Sequence, residues 1–168
     1  DESEWKERRE AMGRLFYIMG KSASGKDTIY QRLLRNPEFS LERLVIYTTR
    51  PIRDGELDGR EYHFVTEEDF QKLKAAGKII EDRGYETVYG LWRYFTADNM
   101  DLEEKNYLGI GTLESYEKLK AYYGEEKIRP IYIEVEDGER LKRAIAREET
   151  QEVPKYEEMC RRFLADAQ

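Results

Sequence analysis

Gly20, Gly25 and Lys26 stand at the spacing G-x-x-x-x-G-K inside the stretch Ile18-Met19-Gly20-Lys21-Ser22-Ala23-Ser24-Gly25-Lys26-Asp27-Thr28. That spacing suits the cradling of a polyphosphate. Gly20 permits a tight turn, and Gly25 lets the backbone come close to an anion. Ser22 and Ser24 lie between them, and successive N–H groups with a following helix N-terminus present positive potential to the ligand. Lys26 can reach the outer phosphates of a nucleotide. The hydroxyl that assists a magnesium ion normally follows such a lysine directly. Here Asp27 takes that place and Thr28 comes one residue later. Asp27 either orients metal-bound water or favours the first helical turn.

Such a loop must leave a strand and enter a helix, and the flanking residues meet that demand. Leu15-Phe16-Tyr17-Ile18-Met19 is a continuous apolar run, as in a strand buried on both faces of a parallel sheet. After the loop, Ile29, Leu33 and Leu34 recur at helical spacing, and Asn36-Pro37 stops the helix. Further strands are expected at 44–47, 62–65, 79–81, 86–89, 92–96, 106–110 and 129–135. Thr66-Glu67-Glu68-Asp69 signals a helix start, and Gly77 its end. Other helices are expected over 113–123, 140–149 and 156–167. Strands and helices alternate towards both ends of the chain, which predicts an α/β fold with a central parallel sheet between helical layers. The short strands over 47–96 interrupt that alternation and predict a small inserted mixed or antiparallel lobe. Residues 1–13 are polar and read as an N-terminal extension, with Met12 as a plausible start.

Composition narrows the function classes. The 168 residues suffice for one domain with a real core. Charged residues make up 39% of the chain, and the formal net charge is −7, so no basic face for nucleic acid is expected. A few local arginines can still hold a phosphorylated substrate. The single Cys160 excludes an internal disulfide framework. No apolar run is long enough to span a bilayer and no signal peptide is visible, so the expected compartment is the cytoplasm.

Beyond the loop lies Thr48-Thr49-Arg50-Pro51-Ile52-Arg53, then Gly55-Glu56, Asp58-Gly59 and Glu61-Tyr62-His63-Phe64-Val65. With the variant G-K-x-T loop, this segment resembles the guanylate kinase family and its T-T-R-x-x-R-x-G-E-x-x-G-x-x-Y-x-F pattern. The resemblance covers about residues 14–165. It implies a P-loop core over 14–46 and 98–142, continuing at 160–168, with a GMP-binding lobe over 47–97 and a helical lid over 143–159. It implies ATP and Mg2+ as cofactors and small nucleotides as the partners, with no nucleic acid and no membrane. Arg50, Arg53, Tyr62 and Tyr89 would hold the acceptor phosphate, and guanidinium forks suit that task. Glu81 would read the base, since an ionised carboxylate accepts two N–H groups. The lid would supply Arg143, Arg147 and Arg162 beside Lys26 as catalytic residues, with Arg161 competing for the third position. Arg143 and Arg147 are four apart and share a helix face. Gly20, Ser22, Ser24, Gly25, Lys26, Asp27 and Thr28 would bind ATP, with Asp27 and Thr28 toward the metal. His63 is expected to pack within its strand and Cys160 within its helix.

The chain departs from the family pattern at three places. Ile46 stands where the family has a serine, and Thr48 is the expected substitute at the acceptor. The family's D-x-D at the end of the next core strand is replaced by Gly109-Ile110-Gly111. The family also continues beyond the lid, with segments that complete the adenine site. The expected activity is ATP-dependent phosphorylation of GMP or dGMP. Two alternatives stay open: a ribose 1,5-bisphosphate phosphokinase, which also lacks the D-x-D pair, and a non-catalytic guanylate-kinase-like binding domain.

Overall fold

The computed structural model describes residues 2–4 and 13–167. Most of the expected extension 1–13, with Met12, lies outside the described residues. Eight strands and five further helices follow from Leu15 onward. In chain order they are β1 (Leu15–Gly20), α1 (Lys26–Arg35), β2 (Leu41–Arg43), β3 (Tyr47–Thr48) and β4 (His63–Phe64). Then come α2 (Glu67–Ala75), β5 (Ile79–Thr87), β6 (Gly90–Ala97), β7 (Asn106–Ile110) and α3 (Leu113–Tyr123). The chain closes with β8 (Ile128–Ile133), α4 (Asp137–Glu149) and α5 (Tyr156–Ala165).

The strands form two sheets. The core sheet is wholly parallel in the order β2-β7-β1-β8. The second sheet runs β4-β3-β6-β5, with β3 and β4 parallel and the remaining pairs antiparallel. Side chains alternate across β1, as strand geometry requires. Leu15, Tyr17 and Met19 face a core shared with Leu119 of α3, while Ile18 faces Tyr30 of α1. A third cluster, Phe70, Phe95 and Ala97, lies between α2 and the second sheet. Phe70 meets Phe95 edge-to-face at 4.9 Å, and burying one such ring stabilises by roughly 1.5–3 kcal/mol. The helix signal at 66–69 is a full capping box. Thr66 Oγ1 accepts from Asp69 N–H, and Asp69 accepts from Thr66 N–H. Among the described residues no helix is long and apolar enough to cross a membrane.

Two expectations are corrected. The predicted strand over 44–47 does not form as one element: Leu44 to Ile46 cross from the core sheet to the second sheet, between β2 and β3. The crossing is apolar because it leaves one core, where Leu44 packs near Tyr17, for another, where Tyr47 packs against Phe95. The strands predicted at 79–81 and 86–89 are one strand, β5. It turns at Val88-Tyr89 into β6, with Gly90 at φ +104°.

Candidate active site

The glycine-rich turn leads from β1 into α1. A Cβ at Gly20 would lie 2.8 Å from both Ile133 O and Ser24 Oγ, so only glycine fits there. Gly25 is left-handed at φ +85° and forms the N-cap of α1. The first intrahelical bond drawn on it is Ile29 N–H to Gly25 O. The preceding amides of the first turn therefore have no intrahelical acceptor and are available to an anion. Ser24 Oγ is buried and has no hydrogen-bond partner among the described residues. Asp27 and Thr28 are exposed on the first turn.

The two last helices bring arginines to this turn. Arg143 Nη1 lies 3.5 Å from Ser24 O, and it is the nearest side-chain atom to Gly25 at 3.7 Å from an ideal Cβ. Lys26, Asp27, Arg147 and Arg162 line one cavity of about 160 Å3, with Met159 and Phe163 also in its walls. Arg162 donates from Nε to Glu158 at 3.0 Å, and Arg161 donates twice to the same carboxylate. These bonds, Arg161's first, hold Glu158 down at about 2. Arg162 lines the cavity and Arg161 does not, so geometry separates the two candidates.

The same region holds a residue that sequence reading passed over. Arg140 of α4 is 1% exposed. It donates to Ser22 O at 3.0 Å, Asp137 at 2.8 Å and Asp166 at 3.0 Å, and it lies over the Phe163 ring at 4.7 Å. Asp166 also accepts from Ser22 N–H at 2.9 Å. Ser22 is thus held at both its backbone groups by this network, and the last helix is tied to the glycine turn.

The residues expected at the acceptor gather on the second sheet. Arg50 is 5% exposed, and its guanidinium meets Glu56 in a two-bond fork at 2.8 Å each. It lies against the rings of Tyr62 and Phe64, at 5.3 and 5.6 Å from their centroids, and donates to the Tyr94 phenol oxygen. The loop between Arg50 and Tyr62 is held by its own acids. Glu56 accepts from Arg53 N–H, Asp58 from Phe64 N–H and Glu61 from Leu57 N–H. The acids of the sequence motif therefore shape the loop, while Arg53 stays exposed. His63 packs on Tyr47 at 4.6 Å, as expected. Glu56 and Tyr94 are members of this cluster that sequence reading did not assign. Glu56 was visible only as part of a motif, and Tyr94 reaches Arg50 only through strand pairing.

The Glu56 carboxyl is pulled down from 4.5 to about 2, chiefly by its bonds to Arg50. A depressed carboxyl contributes stability above its unfolded value and loses it as pH falls through the folded value. The fork is therefore expected to persist from neutral pH until the pH drops below 4.5 towards about 2. A carboxyl 13C titration should give a midpoint near 2 for Glu56, returning to the ordinary range in Arg50→Ala.

Glu81 is 7% exposed on β5. It accepts from Thr96 Oγ1 at 3.2 Å, with Arg83 Nε 3.8 Å away. The pairing slips by one residue between Ile79 and Glu81, a bulge centred on Ile80. Bulges re-aim side chains. This one puts Ile80 into the core around Tyr17 and leaves Glu81 buried beside it.

Two residues expected at the acceptor lie apart from the open face of this cluster. Thr48 is fully buried, and its hydroxyl donates to Arg93 O at 2.9 Å and accepts from Arg50 N–H at 3.2 Å. It positions Arg50 and has no free face for a ligand. Tyr89 is not gathered with Arg50 and Tyr62. It is 81% exposed at the β5–β6 turn and stacks on Trp92 at 5.9 Å, because the long hairpin carries its turn away from the sheet.

A family model described as guanylate kinase matches residues 12–166. A guanylate kinase of Wolbachia sp. subsp. Brugia malayi is 36% identical over 124 residues, which are 73% of this chain and 60% of that protein. One from Wolbachia pipientis is 31% identical over 157 residues, 93% of this chain and 75% of that protein. One from Vibrio parahaemolyticus is 36% identical over 99 residues, and this chain spans only 45% of its length. Among solved structures, the guanylate kinase of Anaplasma phagocytophilum matches with a TM-score of 0.54 at 25% identity, over 79% of this chain and 66% of that one.

Proposed function

We propose, from the premise that this chain belongs to the guanylate kinase family, that it moves the γ-phosphoryl group of ATP to the phosphate of GMP or dGMP. One observation carries the reading: Lys26, Asp27, Arg147 and Arg162 share a single cavity at the glycine turn, with Arg143 over Gly25. Cations converging on a turn with open amides suit a group whose negative charge must be held and neutralised as it transfers. Little covalent chemistry falls to the protein in such a reaction, which works by positioning and charge neutralisation. Lys26 and the first-turn amides hold the donor. Arg50 and Tyr62 hold the acceptor phosphate, with Arg53 free to join from the loop. Glu81 accepts N–H groups from the base. Arg143, Arg147 and Arg162 stabilise charge on the transferring group and, with the two last helices, keep water out. In domain terms, the core sheet carries the donor, the lobe 47–97 the acceptor, and the helical segment 143–159 the lid.

The residues at the turn fit a nucleoside triphosphate. Gly20 leaves the space that a Cβ would fill, and Ser24 Oγ has no partner within the chain. Among the described residues no group of three or more His, Cys, Asp or Glu could hold a metal ion. A magnesium ion here would take at most Thr28 and Asp27 from the protein, and phosphates and water for the rest, which suits its preferences. When bound, the ion supplies charge neutralisation across the outer phosphates.

The deciding experiment is ADP release from ATP and magnesium, with GMP, dGMP, AMP, UMP, CMP and ribose 1,5-bisphosphate offered separately. Turnover on GMP and dGMP alone is the expected result. Turnover on ribose 1,5-bisphosphate alone would move the chain to that phosphokinase activity. A folded protein that binds GMP and turns over nothing would be a binding module.

A further inference from the structure

The chain passes between the two sheets twice, inward at Leu44 to Ile46 and back at residues 98–105. The seat of the second sheet on the core is apolar. Ile79 packs against Phe70, Phe95 and Ala97, while the next residue, Ile80, packs against the cluster of Tyr17 and Leu119. Leu44, Met100 and Leu102 join that second cluster from the two crossings. Apolar contact is non-directional, so by itself it fixes the angle between the sheets only loosely.

Directional bonds are added at the same place. Asp98 follows β6 immediately, and its N–H donates to Lys78 O at 2.9 Å, closing the base of the β5–β6 hairpin. Its carboxylate accepts from both tyrosines at the end of α3. Tyr122 Oη donates to one oxygen at 3.0 Å, and Tyr123 Oη donates to the other at 2.9 Å. The two rings meet edge to face at 4.9 Å. Burial first, and then the Asp98 carboxylate, pushes both phenols up, so they stay protonated as donors at neutral pH. One residue on, Asn99 Nδ2 donates to Val45 O at 3.3 Å, which ties the returning crossing to the entering one.

This arrangement resists rotation. A single bond would let the hairpin swing about it. Two bonds on separate oxygens, from adjacent residues of a helix seated on the core through Leu119, oppose that swing. Glu81 stands on the same hairpin, three residues after Lys78. The strand β3 pairs with β6 and leads directly to Arg50, so the arginine cluster moves with the hairpin. The glycine turn follows β1, which belongs to the core sheet. The angle held at Asp98 is therefore the angle between the arginine cluster and the glycine turn.

We infer that Asp98 is a positioning residue: by clamping Tyr122 and Tyr123 it sets the angle at which the second sheet, with Arg50, Tyr62 and Glu81, faces the glycine turn. The inference rests on the proposed phosphoryl transfer, in which donor and acceptor are held by different sheets. In-line transfer depends on their alignment, and a misplacement of about 1 Å can cost about 100-fold in rate. Asp98 and Tyr122 are exposed, so loss of the clamp costs little stability. Positioning and stability are separable at this residue.

Asp98→Ala tests this, with kcat on GMP, the KM for ATP, a thermal melt and amide hydrogen exchange measured on one preparation of the full chain. The expected result is a fall of about tenfold in kcat, with the KM for ATP within about twofold. The melting temperature should stay within about 2 °C of the unsubstituted chain. Exchange should quicken at residues 44–46 and 98–101 and stay unchanged in β1 and α2, one element from each side of the junction. Tyr122→Phe and Tyr123→Phe each keep one bond, so each should fall between the two chains. The double variant should match Asp98→Ala, and it decides the question if Asp98→Ala melts early. An unchanged kcat, or a fall accompanied by faster exchange throughout the chain, would overturn the positioning role alone. Absence of GMP turnover by the unsubstituted chain would overturn the proposed function and this inference together.

Discussion

Lys26→Ala is expected to abolish phosphoryl transfer while leaving the fold intact. Lys26 opens α1 directly after the left-handed Gly25, and its side chain is half-buried in the cavity shared with Asp27, Arg147 and Arg162. Helix α1 does not depend on it: the Gly25 N-cap and the Tyr30 side of the core hold the helix. Its loss removes a preorganised positive charge from the place where charge develops, at a cost of about 10^3-fold in kcat or more. A substitution that leaves caps and core untouched changes stability by about 0.5 kcal/mol, or roughly 2 °C in a chain of this size. Steady-state ADP release beside a thermal melt reads both quantities. A variant that turns over as fast as the unsubstituted chain would remove the donor site from this turn.

Arg140→Ala should produce the largest loss of stability. Its guanidinium is buried and joins three acceptors, Ser22 O, Asp137 and Asp166, over the face of Phe163. Asp137 is largely exposed, so its share is small. The cost falls on the other side, where Asp166 and the Ser22 carbonyl lose their partner and the arginine stem leaves a gap. Breaking a buried pair from one side costs about 3 kcal/mol. For a chain of this length that lowers Tm by roughly 10 °C. Because Asp166 also holds Ser22 N–H, the variant should bind ATP more weakly as the turn loosens. Arg140→Met, which keeps the stem, should recover only the part of the melting temperature lost to the gap and none of the tightening of the turn. Differential scanning calorimetry with and without ATP separates the two effects. A shift of under about 2 °C in Arg140→Ala would mean that the network contributes little to the fold.

The loop, its flanking strand and helix, and the capping box at Thr66 were legible in the chain because each rests on local rules. A left-handed glycine, an apolar run and a capping threonine act within a few residues of themselves. The acids of the 50–64 segment were legible as a motif, but their work as acceptors for Arg53, Leu57 and Phe64 N–H groups was not. A carboxylate in a loop reads as solvated until the loop is closed. The strand expected at 44–47 failed for a related reason. An apolar run says that residues are buried, and it does not say that they are buried in one sheet.

The chain carries its parts openly: a glycine turn ahead of a lysine, an arginine-bearing loop, a glutamate on a strand and two helices rich in arginine. Those follow from residue type and spacing, which fix backbone freedom, charge and the faces of helices. Which of these parts meet is visible only in the folded chain. It puts Arg162 and not Arg161 in the cavity beside Lys26, turns Thr48 inward against Arg50, and carries Tyr89 out on a hairpin. It buried Arg140 against an aspartate 26 residues away. It also set Tyr17 in the space of Gly109 and Gly111 through contacts across neighbouring strands. Strand register and helix docking make these choices, and both depend on packing between segments far apart in the chain, which no local pattern encodes.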